Sequence, residues 1–170
     1  SLNLLLQIYH LEKEWDKAIK IAQRLAASSG ASYRLNIAHY YCELSEEMFA
    51  KNDSQAAASY LKKAQSIDRH CVRSYLLQAN TAFDAHDYTT SIQIYRRVVE
   101  EDPTYITEII DQLKTCYEKL GKMTDLTVYL QEIFSETPFV DVAECLAKCL
   151  HQQHGLQTAI DFLENYVASY

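Results

Sequence analysis

The sequence predicts an all-α fold made of about five helical hairpins that follow one another along the chain. Only three glycines and two prolines occur in 170 residues, which indicates helices joined by short turns. Hydrophobic residues make up 48% and charged residues 23%, the composition of a globular protein with a substantial core. A third observation is that one pattern of small and apolar residues recurs about every 34 residues.

The pattern is best formed in residues 88–103, which predict the second helix of a hairpin. Ser91 is small, as expected where two helices cross closely. Tyr95 and Val98 follow at i+4 and i+7, on the same face of the helix. Pro103 cannot continue the helix and so predicts its end.

Small or apolar residues stand at the equivalent position of each hairpin, and we interpret them as sites where two helices cross. These residues are Ala18, Ala57, Ser91, Leu126 and Ala159, with spacings of 39, 34, 35 and 33. Spacings near 34 are typical of the tetratricopeptide repeat (TPR), whose units stack into a right-handed solenoid. We therefore predict a TPR array over 1–170, with repeats at about 1–31, 38–71, 72–105, 107–140 and 140–170. The spacing of 39 predicts a longer loop at 27–31, where Ser28, Ser29 and Gly30 cluster.

The same register predicts ten helices. They are expected near residues 2–12, 15–28, 33–50, 54–67, 71–84, 88–101, 104–120, 123–136, 139–152 and 156–169. The fourth repeat departs from the pattern, because Lys114 and Leu126 stand where small residues belong. Either its two helices lie farther apart or its register is shifted.

The charge distribution argues against a nucleic-acid partner. The formal net charge is −7, and it divides into 0 for residues 1–51, −1 for 52–103 and −6 for 104–170. A nucleic-acid surface would require a basic face. The acidic C-terminal part instead favours a basic segment of a protein partner.

The cysteines and histidines form no recognisable catalytic or metal-binding motif. Five cysteines without paired spacing indicate free thiols in a reducing compartment, and Cys116 and Cys149 occupy equivalent core positions. Cys145 and Cys149 share a helix face, but no set of four ligands surrounds them. His39 and Glu43, four residues apart, are interpreted as structural or surface residues. With no phosphate loop or nucleophile motif either, we expect no enzyme activity and no cofactor.

Two stretches resemble a known family. Residues 5–25 read LLQIYHLEKEWDKAIKIAQRL, and residues 37–68 read IAHYYCELSEEMFAKNDSQAAASYLKKAQSID. Both resemble early repeats of the lipopolysaccharide assembly protein B (LapB, also called YciM) family. Similar features continue through residues 115–117 and 120–122, so the resemblance covers essentially the whole chain.

The resemblance implies a non-catalytic adaptor. Members of that family carry an N-terminal membrane helix, a TPR array on the cytoplasmic face of the bacterial inner membrane, and a C-terminal rubredoxin-like domain. That domain binds iron or zinc through CxxC pairs. The family presents the lipid A deacetylase to the FtsH protease and so limits lipopolysaccharide synthesis. This sequence has neither an apolar run long enough for a membrane helix nor any CxxC, so we expect it to be the TPR piece alone, without a metal.

The register also predicts which residues line the concave face, where repeat proteins bind partners. The residues expected to form the groove are His39, Glu46, Phe49, Arg73, Leu76, Asn80, Phe83, Glu108, Asp111 and Glu118, with Asn3, Gln7, His10, Cys42, Thr115, Asp141, Glu144 and Lys148 on the same face. At its centre, Asn80 is expected to bond the backbone of a peptide while Phe49 and Phe83 anchor its side chains.

The last helix is apolar on more than one face. Ile160, Phe162, Tyr166 and Val167 predict a C-terminal packing surface, where a terminal repeat would normally be polar. A following domain or a homodimer contact would explain this, and we favour the following domain.

The leading functional hypothesis is a protein–protein adaptor that regulates lipopolysaccharide synthesis. The alternative is a generic co-chaperone-like module that clamps the C-terminal carboxylates of its clients. Such a clamp needs several basic and amide side chains. Arg73 and Asn80 qualify, whereas Glu108, Asp111 and Glu118 would repel an acidic tail.

Overall fold

A computed structural model describes residues 1–30 and 32–170, and this part of the chain contains ten α-helices, one short 3₁₀ helix and no strand. The helices are α1 (Leu2–Leu11), α2 (Trp15–Ser29), α3 (Arg34–Ala50), α4 (Ser54–Ile67), α5 (Val72–Asp84), α6 (Tyr88–Glu101), α7 (Ile106–Lys119), α8 (Met123–Glu136), α9 (Val140–His154) and α10 (Leu156–Ser169). The 3₁₀ helix, Pro103–Tyr105, precedes α7. None of the described helices is long and apolar enough to cross a membrane.

Every predicted helix is confirmed, with bounds that differ by at most two residues. The predicted loop at 27–31 is wrong for residues 27–29, which belong to α2. Within the last turn of α2, Ser28 and Ser29 direct their hydroxyls back to the carbonyl of Leu25, at 3.3 and 2.7 Å, so both polar side chains are satisfied inside the helix. It ends at Gly30, whose φ of 66° is strained for a residue with a side chain. Ala31, also in that predicted loop, lies outside the described residues.

One turn recurs between the two helices of each of the first four hairpins. Lys13, Asn52, His86 and Gly121 all have φ between 57° and 66°. In each turn the following backbone N–H donates to the carbonyl five residues earlier, at 2.8 to 2.9 Å, as in a Schellman motif. Each of these residues stands five positions before its helix-crossing site, so the turn geometry reproduces the repeat register.

The second helices of the middle three repeats also end alike. Asp68, Asp102 and Thr137 follow α4, α6 and α8, and all three adopt an extended conformation with ψ between 94° and 100°. An extended residue leaves the helical path and turns the chain into the next hairpin. In α6 this residue precedes Pro103, as predicted, since a residue before proline disfavours the helical conformation.

Hydrogen bonds across two hairpins show how closely their helices cross. Ser45 Oγ on α3 donates to the carbonyl of Ala57 on α4 at 2.9 Å. Ser91 Oγ on α6 donates to the carbonyl of Ala79 on α5 at 3.1 Å. All four residues are fully buried, and in both hairpins the paired residues are twelve positions apart. A larger side chain at these positions would separate the helices.

The fourth repeat shows the first of the two expected alternatives, a wider separation of its helices rather than a shifted register. Its equivalent pair is Lys114 and Leu126, and helices α7 and α8 approach each other less closely than α3 and α4 or α9 and α10. Leu126 is fully buried, and Lys114 is half-buried with its ammonium 3.7 Å from Glu118 Oε1. The register is preserved, and the larger side chains occupy the wider space between the helices.

The chain divides into two compact units, residues 1–78 and 79–170, with the boundary inside α5. In unit 1, Trp15, Ile19, Leu25, Tyr40 and Leu44 belong to the main core, and Ala38, Cys42 and Ala64 form a smaller cluster. In unit 2, the largest fully buried side chains include those of Tyr95, Ile106, Leu113, Leu130 and Leu146. Cys116 and Cys149 are fully buried, which confirms them as core residues.

Candidate partner-binding surfaces

A charged cluster in unit 1 joins α3 to the first turn of α5. The guanidinium of Arg73 lies 3.0 Å from Glu43 Oε1 and 2.7 Å from Glu46 Oε2. Its Nη1 also lies 2.9 Å from His39 Nδ1. His39, Glu43 and Glu46 follow one another at i, i+4 and i+7, so helical periodicity places them on one face. The structure therefore brings together three predicted groove residues, His39, Glu46 and Arg73, around one guanidinium.

The cluster controls the protonation of His39. Because a guanidinium can only donate hydrogen bonds, Nδ1 of His39 accepts and its proton sits on Nε2, 3.6 Å from Glu43 Oε1. Burial and the neighbouring charge of Arg73 lower the pKa of His39, and Glu43 partly opposes them. The imidazole is thus held neutral while Arg73 supplies the positive charge.

Aromatic rings extend this surface toward the N-terminus of unit 1. The His39 and His10 rings stack with their centroids 6.1 Å apart, and both lie edge-on to the stacked pair of Trp15 and Tyr40. Beside them is an open cavity of about 420 Å³ between α1 and α3. Its lining residues are Leu6, Gln7, His10, Leu11, Asn36 and Tyr40. This face combines apolar and polar groups, as a peptide-binding surface does.

Three other predicted groove residues of unit 1 are less accessible. Phe49 and Leu76 are half-buried. Cys42, which the register places on the groove face, is fully buried, so that placement is wrong. Its side chain packs with Ala38 and Ala64 and lies 3.9 Å from the sulfur of Cys71. The residue next to it, Glu43, contacts Arg73 together with Glu46 and His39.

In unit 2, Asn80 and Phe83 on α5 both contact α6. The hydroxyl of Tyr95 donates to Asn80 Oδ1 at 2.5 Å, which fixes the orientation of the amide. The Phe83 ring meets Tyr88 edge-on, with centroids 6.0 Å apart, and is half-buried. The role predicted for them in peptide binding stays a prediction.

Helices α7 and α9 line an open polar cavity of about 220 Å³ in unit 2. It is lined by Thr107, Ile110, Asp111, Lys114, Asp141, Glu144, Cys145 and Lys148. Three carboxylates and two ammonium groups therefore surround one space, with an excess of negative charge. Of the predicted acidic groove residues, Asp111 lines this cavity, whereas Glu108 and Glu118 are exposed on the same helix.

The predicted C-terminal surface contains an aromatic cluster between α8 and α10. The centroid of the Phe134 ring lies 5.2 Å from that of Phe162 and 5.6 Å from that of Tyr166. The ring centroids of Tyr166 and Tyr170 are 5.5 Å apart. Ile160, Phe162 and Tyr166 are consequently half-buried rather than open. Val167, with 76% of its surface exposed, is the most accessible of the four predicted residues.

Two residues contribute to these surfaces in ways that the sequence does not predict. Glu43, expected to be a structural or surface neighbour of His39, is also an ion-pair partner of Arg73 thirty positions away. Lys114, the oversized residue at the crossing site, also lines the α7–α9 cavity. For the charged cluster around Arg73, the available signal in the sequence is that His39, Glu43 and Glu46 stand at i, i+4 and i+7 and so share one face of α3. Within the described part of the chain, no group of three or more His, Cys, Asp or Glu residues is arranged to hold a metal ion.

Solved structures with a similar fold are tetratricopeptide-repeat proteins. One structure of MamA (AMB-1) superposes with a TM-score of 0.57 at 10% identity, covering 95% of this chain and 90% of that one. A second MamA crystal structure gives a TM-score of 0.56 at 14% identity and covers 97% of each chain. Likeness at this identity concerns the fold alone, and it confirms the predicted all-α TPR fold class.

Curated relatives extend the likeness to sequence. No model of a known protein family matches the chain. Lipopolysaccharide assembly protein B of Escherichia coli (strain K12) is 31% identical over 159 residues, which are 94% of this chain and 41% of that protein. The protein of the same name from Haemophilus influenzae is 33% identical, with 94% and 40% covered. Over nearly all of its residues the chain is therefore similar to a tetratricopeptide-repeat portion of lipopolysaccharide assembly protein B, and it spans about two fifths of the length of these relatives.

Proposed function

We propose that the chain is a non-catalytic adaptor module that holds segments of partner proteins on the faces formed by the first helices of its hairpins. Its similarity to lipopolysaccharide assembly protein B supports a role in lipopolysaccharide synthesis. In the finer form of the proposal, the protein promotes proteolysis of the lipid A deacetylase by FtsH at the cytoplasmic face of the bacterial inner membrane.

The observation that carries the adaptor role is the α7–α9 cavity. Asp111, Asp141 and Glu144 outnumber Lys114 and Lys148 around it, and residues 104–170 carry a net charge of −6. A lysine or arginine side chain from a partner would complete the charge balance of this space. An extended or helical segment with a basic side chain is therefore the ligand that we propose for unit 2.

The co-chaperone alternative is less well supported. A carboxylate clamp needs free basic groups, and Arg73 is already engaged by Glu43, Glu46 and the His39 ring. Binding an acidic tail there would displace existing ion pairs and leave their carboxylates next to the incoming one. The net gain in binding free energy from exchanging one exposed ion pair for another is small.

A peptide-binding experiment tests the proposal for unit 2. Fluorescence anisotropy is measured with a series of labelled basic, neutral and acidic peptides, the last with free C-terminal carboxylates. We expect basic peptides to bind, with an affinity that falls as salt is added. Preferential binding of acidic C-terminal peptides would instead support the co-chaperone alternative.

A charge-matched pair of variants locates the site. Neutralising the cavity carboxylates (Asp111→Asn, Asp141→Asn and Glu144→Gln) is expected to weaken binding roughly tenfold, from three exposed ion pairs of about 0.5 kcal/mol each. The control changes the net charge equally at exposed carboxylates outside the cavity. Its substitutions are Glu136→Gln, Asp161→Asn and Glu164→Gln. If both triple variants lose the same affinity, the effect is long-range electrostatics and the cavity is not the site.

The finer proposal requires the full-length protein. Pull-down of FtsH and of the lipid A deacetylase by the full-length protein is expected to succeed, and altering Arg73, Asn80 and Phe83 is expected to release at least one of them. Retention of both partners by that variant would refute the assignment of these residues to the groove. Recovery of neither partner by the unaltered protein would refute the role in deacetylase proteolysis while leaving the peptide result intact.

A further inference from the structure

Two cysteines of unit 1 lie in direct contact although they are 29 positions apart. Cys42 is fully buried in the middle of α3, and Cys71 is half-buried in the short segment between α4 and α5. Their sulfur atoms are 3.9 Å apart, close enough for a thiol hydrogen bond. The structure contains both as free thiols.

The surroundings make the two thiols chemically different. The hydrogen bond from Cys42 and the groups of Ser74 at the start of α5 lower the pKa of Cys71 to about 6, although burial opposes the shift. Donating that hydrogen bond, together with burial, raises the pKa of Cys42. Cys71 is thus the more exposed of the two thiols and the one that loses its proton more readily, and Cys42 is its buried hydrogen-bond donor.

We propose that Cys42 and Cys71 form a redox-modification site that closes into a reversible disulfide when the protein meets a hydroperoxide. The sulfur atoms must approach from 3.9 Å to about 2.0 Å. Cys71 stands outside any helix, so rotation of its side chain and a small shift of the 68–71 segment can supply this movement.

The reaction has two steps. The Cys71 thiolate attacks one oxygen of hydrogen peroxide, the O–O bond breaks, and a sulfenic acid forms as hydroxide leaves. The sulfur of Cys42 then attacks the sulfur of Cys71, the S–O bond breaks, and the Cys42 proton leaves with the departing hydroxide as water. In total, two thiols and one peroxide give one disulfide and two waters.

The disulfide would act on the charged cluster of unit 1. Glu43 follows Cys42 directly, and Arg73 is two residues after Cys71. Closing the bond draws together the two backbone segments that carry the Glu43–Arg73 ion pair, next to His39. Oxidation of this thiol pair would therefore change the geometry of the neighbouring charged cluster, which faces solvent.

A second cysteine pair provides an internal control. Cys145 and Cys149 are also buried, but they stand at i and i+4 of α9. At that spacing the Cβ atoms of a regular helix are about 5–6 Å apart. A disulfide needs about 3.5–4.5 Å. This pair should stay reduced under conditions that oxidise Cys42 and Cys71.

The test is peroxide treatment of the whole chain followed by non-reducing peptide mapping by mass spectrometry. We expect a linked peptide pair that contains Cys42 and Cys71, with the loss of two hydrogens, and its disappearance after treatment with a dithiol reductant. The variant lacking both Cys145 and Cys149 should give the same linked pair. A map with Cys145 linked to Cys149 instead, or with no internal link at all, would overturn the proposal.

Two single variants test the order of events. In Cys42→Ser the serine hydroxyl can still donate to Cys71, so the sulfenic acid should form there and be trapped by a 1,3-dicarbonyl probe. Labelling at Cys71 in this variant, located by peptide mapping, should exceed labelling at Cys42 in Cys71→Ser by at least about tenfold, because Cys42 is buried and its pKa is raised. Equal labelling of the two variants would contradict the assignment of Cys71 as the reacting thiol.

Discussion

Replacing Ser91 is the most direct test of how the hairpins pack. Ser91 is fully buried where α5 and α6 cross, and its hydroxyl donates to the carbonyl of Ala79 at 3.1 Å. In Ser91→Ala the loss of this hydrogen bond should lower the free energy of unfolding by about 0.5–1.5 kcal/mol. In Ser91→Leu the added methyl groups also separate the helices, at a further cost of about 1–3 kcal/mol.

The loss expected for Ser91→Leu is therefore about 1.5–4.5 kcal/mol. For a chain of this length each kcal/mol shifts Tm by about 2–4 °C, so Tm should fall by about 3–18 °C. Thermal unfolding followed by circular dichroism measures the difference. Ser91→Ala should lie between the parent and Ser91→Leu, which separates the hydrogen bond from the steric effect.

Ser135 on α8 is the matched control. It is exposed, and its hydroxyl donates at 2.7 Å to the carbonyl of Glu132 in its own helix. Ser135→Ala and Ser135→Leu should change the free energy of unfolding by no more than about 0.5 kcal/mol. If Ser91→Leu were no more destabilising than Ser135→Leu, the close crossing of α5 and α6 and the register built on it would be refuted.

Three further predictions concern the fourth repeat, the charged cluster and a helix cap. Leu126→Ala should cost about 2–5 kcal/mol in denaturant unfolding because Leu126 is fully buried, whereas Val128→Ala, on the exposed side of α8, should cost far less. The pKa of His39 is lower in the folded protein than in the unfolded chain, so protonation favours the unfolded chain. The free energy of unfolding should therefore decline as the pH falls from about 6.5 through the folded-state pKa. Arg73→Gln should raise the pKa of His39 measured by NMR titration, because the neighbouring positive charge is removed. Asp87→Ala should cost about 0.5–2 kcal/mol and Asp87→Asn much less, since the Asp87 side chain accepts from the Thr90 N–H at the start of α6.

Local features of the sequence were enough to predict the helices and the repeat register. Helix ends depend on nearby residues such as Pro103, whose ring and missing N–H act on the adjacent backbone. Crossing sites such as Ala57 and Ser91 are recognisable because their small size recurs at one period. The exception is the end of α2: Ser28 and Ser29 predict a loop, but both residues are helical and their hydroxyls donate to the carbonyl of Leu25.

The candidate surfaces were predictable only in part. Helical periodicity correctly placed His39 and Glu46 on the face that meets Arg73. It failed for Cys42, one position before Glu43, because that side chain packs with Ala38 and Ala64 and against the sulfur of Cys71. The cavity between α7 and α9 was anticipated only as an excess of carboxylates, since the spacing within one helix carries no information about its neighbour.

The sequence by itself determined the all-α repeat fold, the helix bounds, the crossing sites and the acidic character of the C-terminal part. These follow from the propensity of each residue, the period of small and apolar side chains, and the count of charges, all of which are local or additive. Only the tertiary structure decided that Glu43 pairs with Arg73, that Cys42 touches Cys71, and that α7 and α8 approach each other less closely than α3 and α4 or α9 and α10. Contacts between residues thirty positions apart depend on how hairpins stack, and stacking is set by the packing of many side chains together.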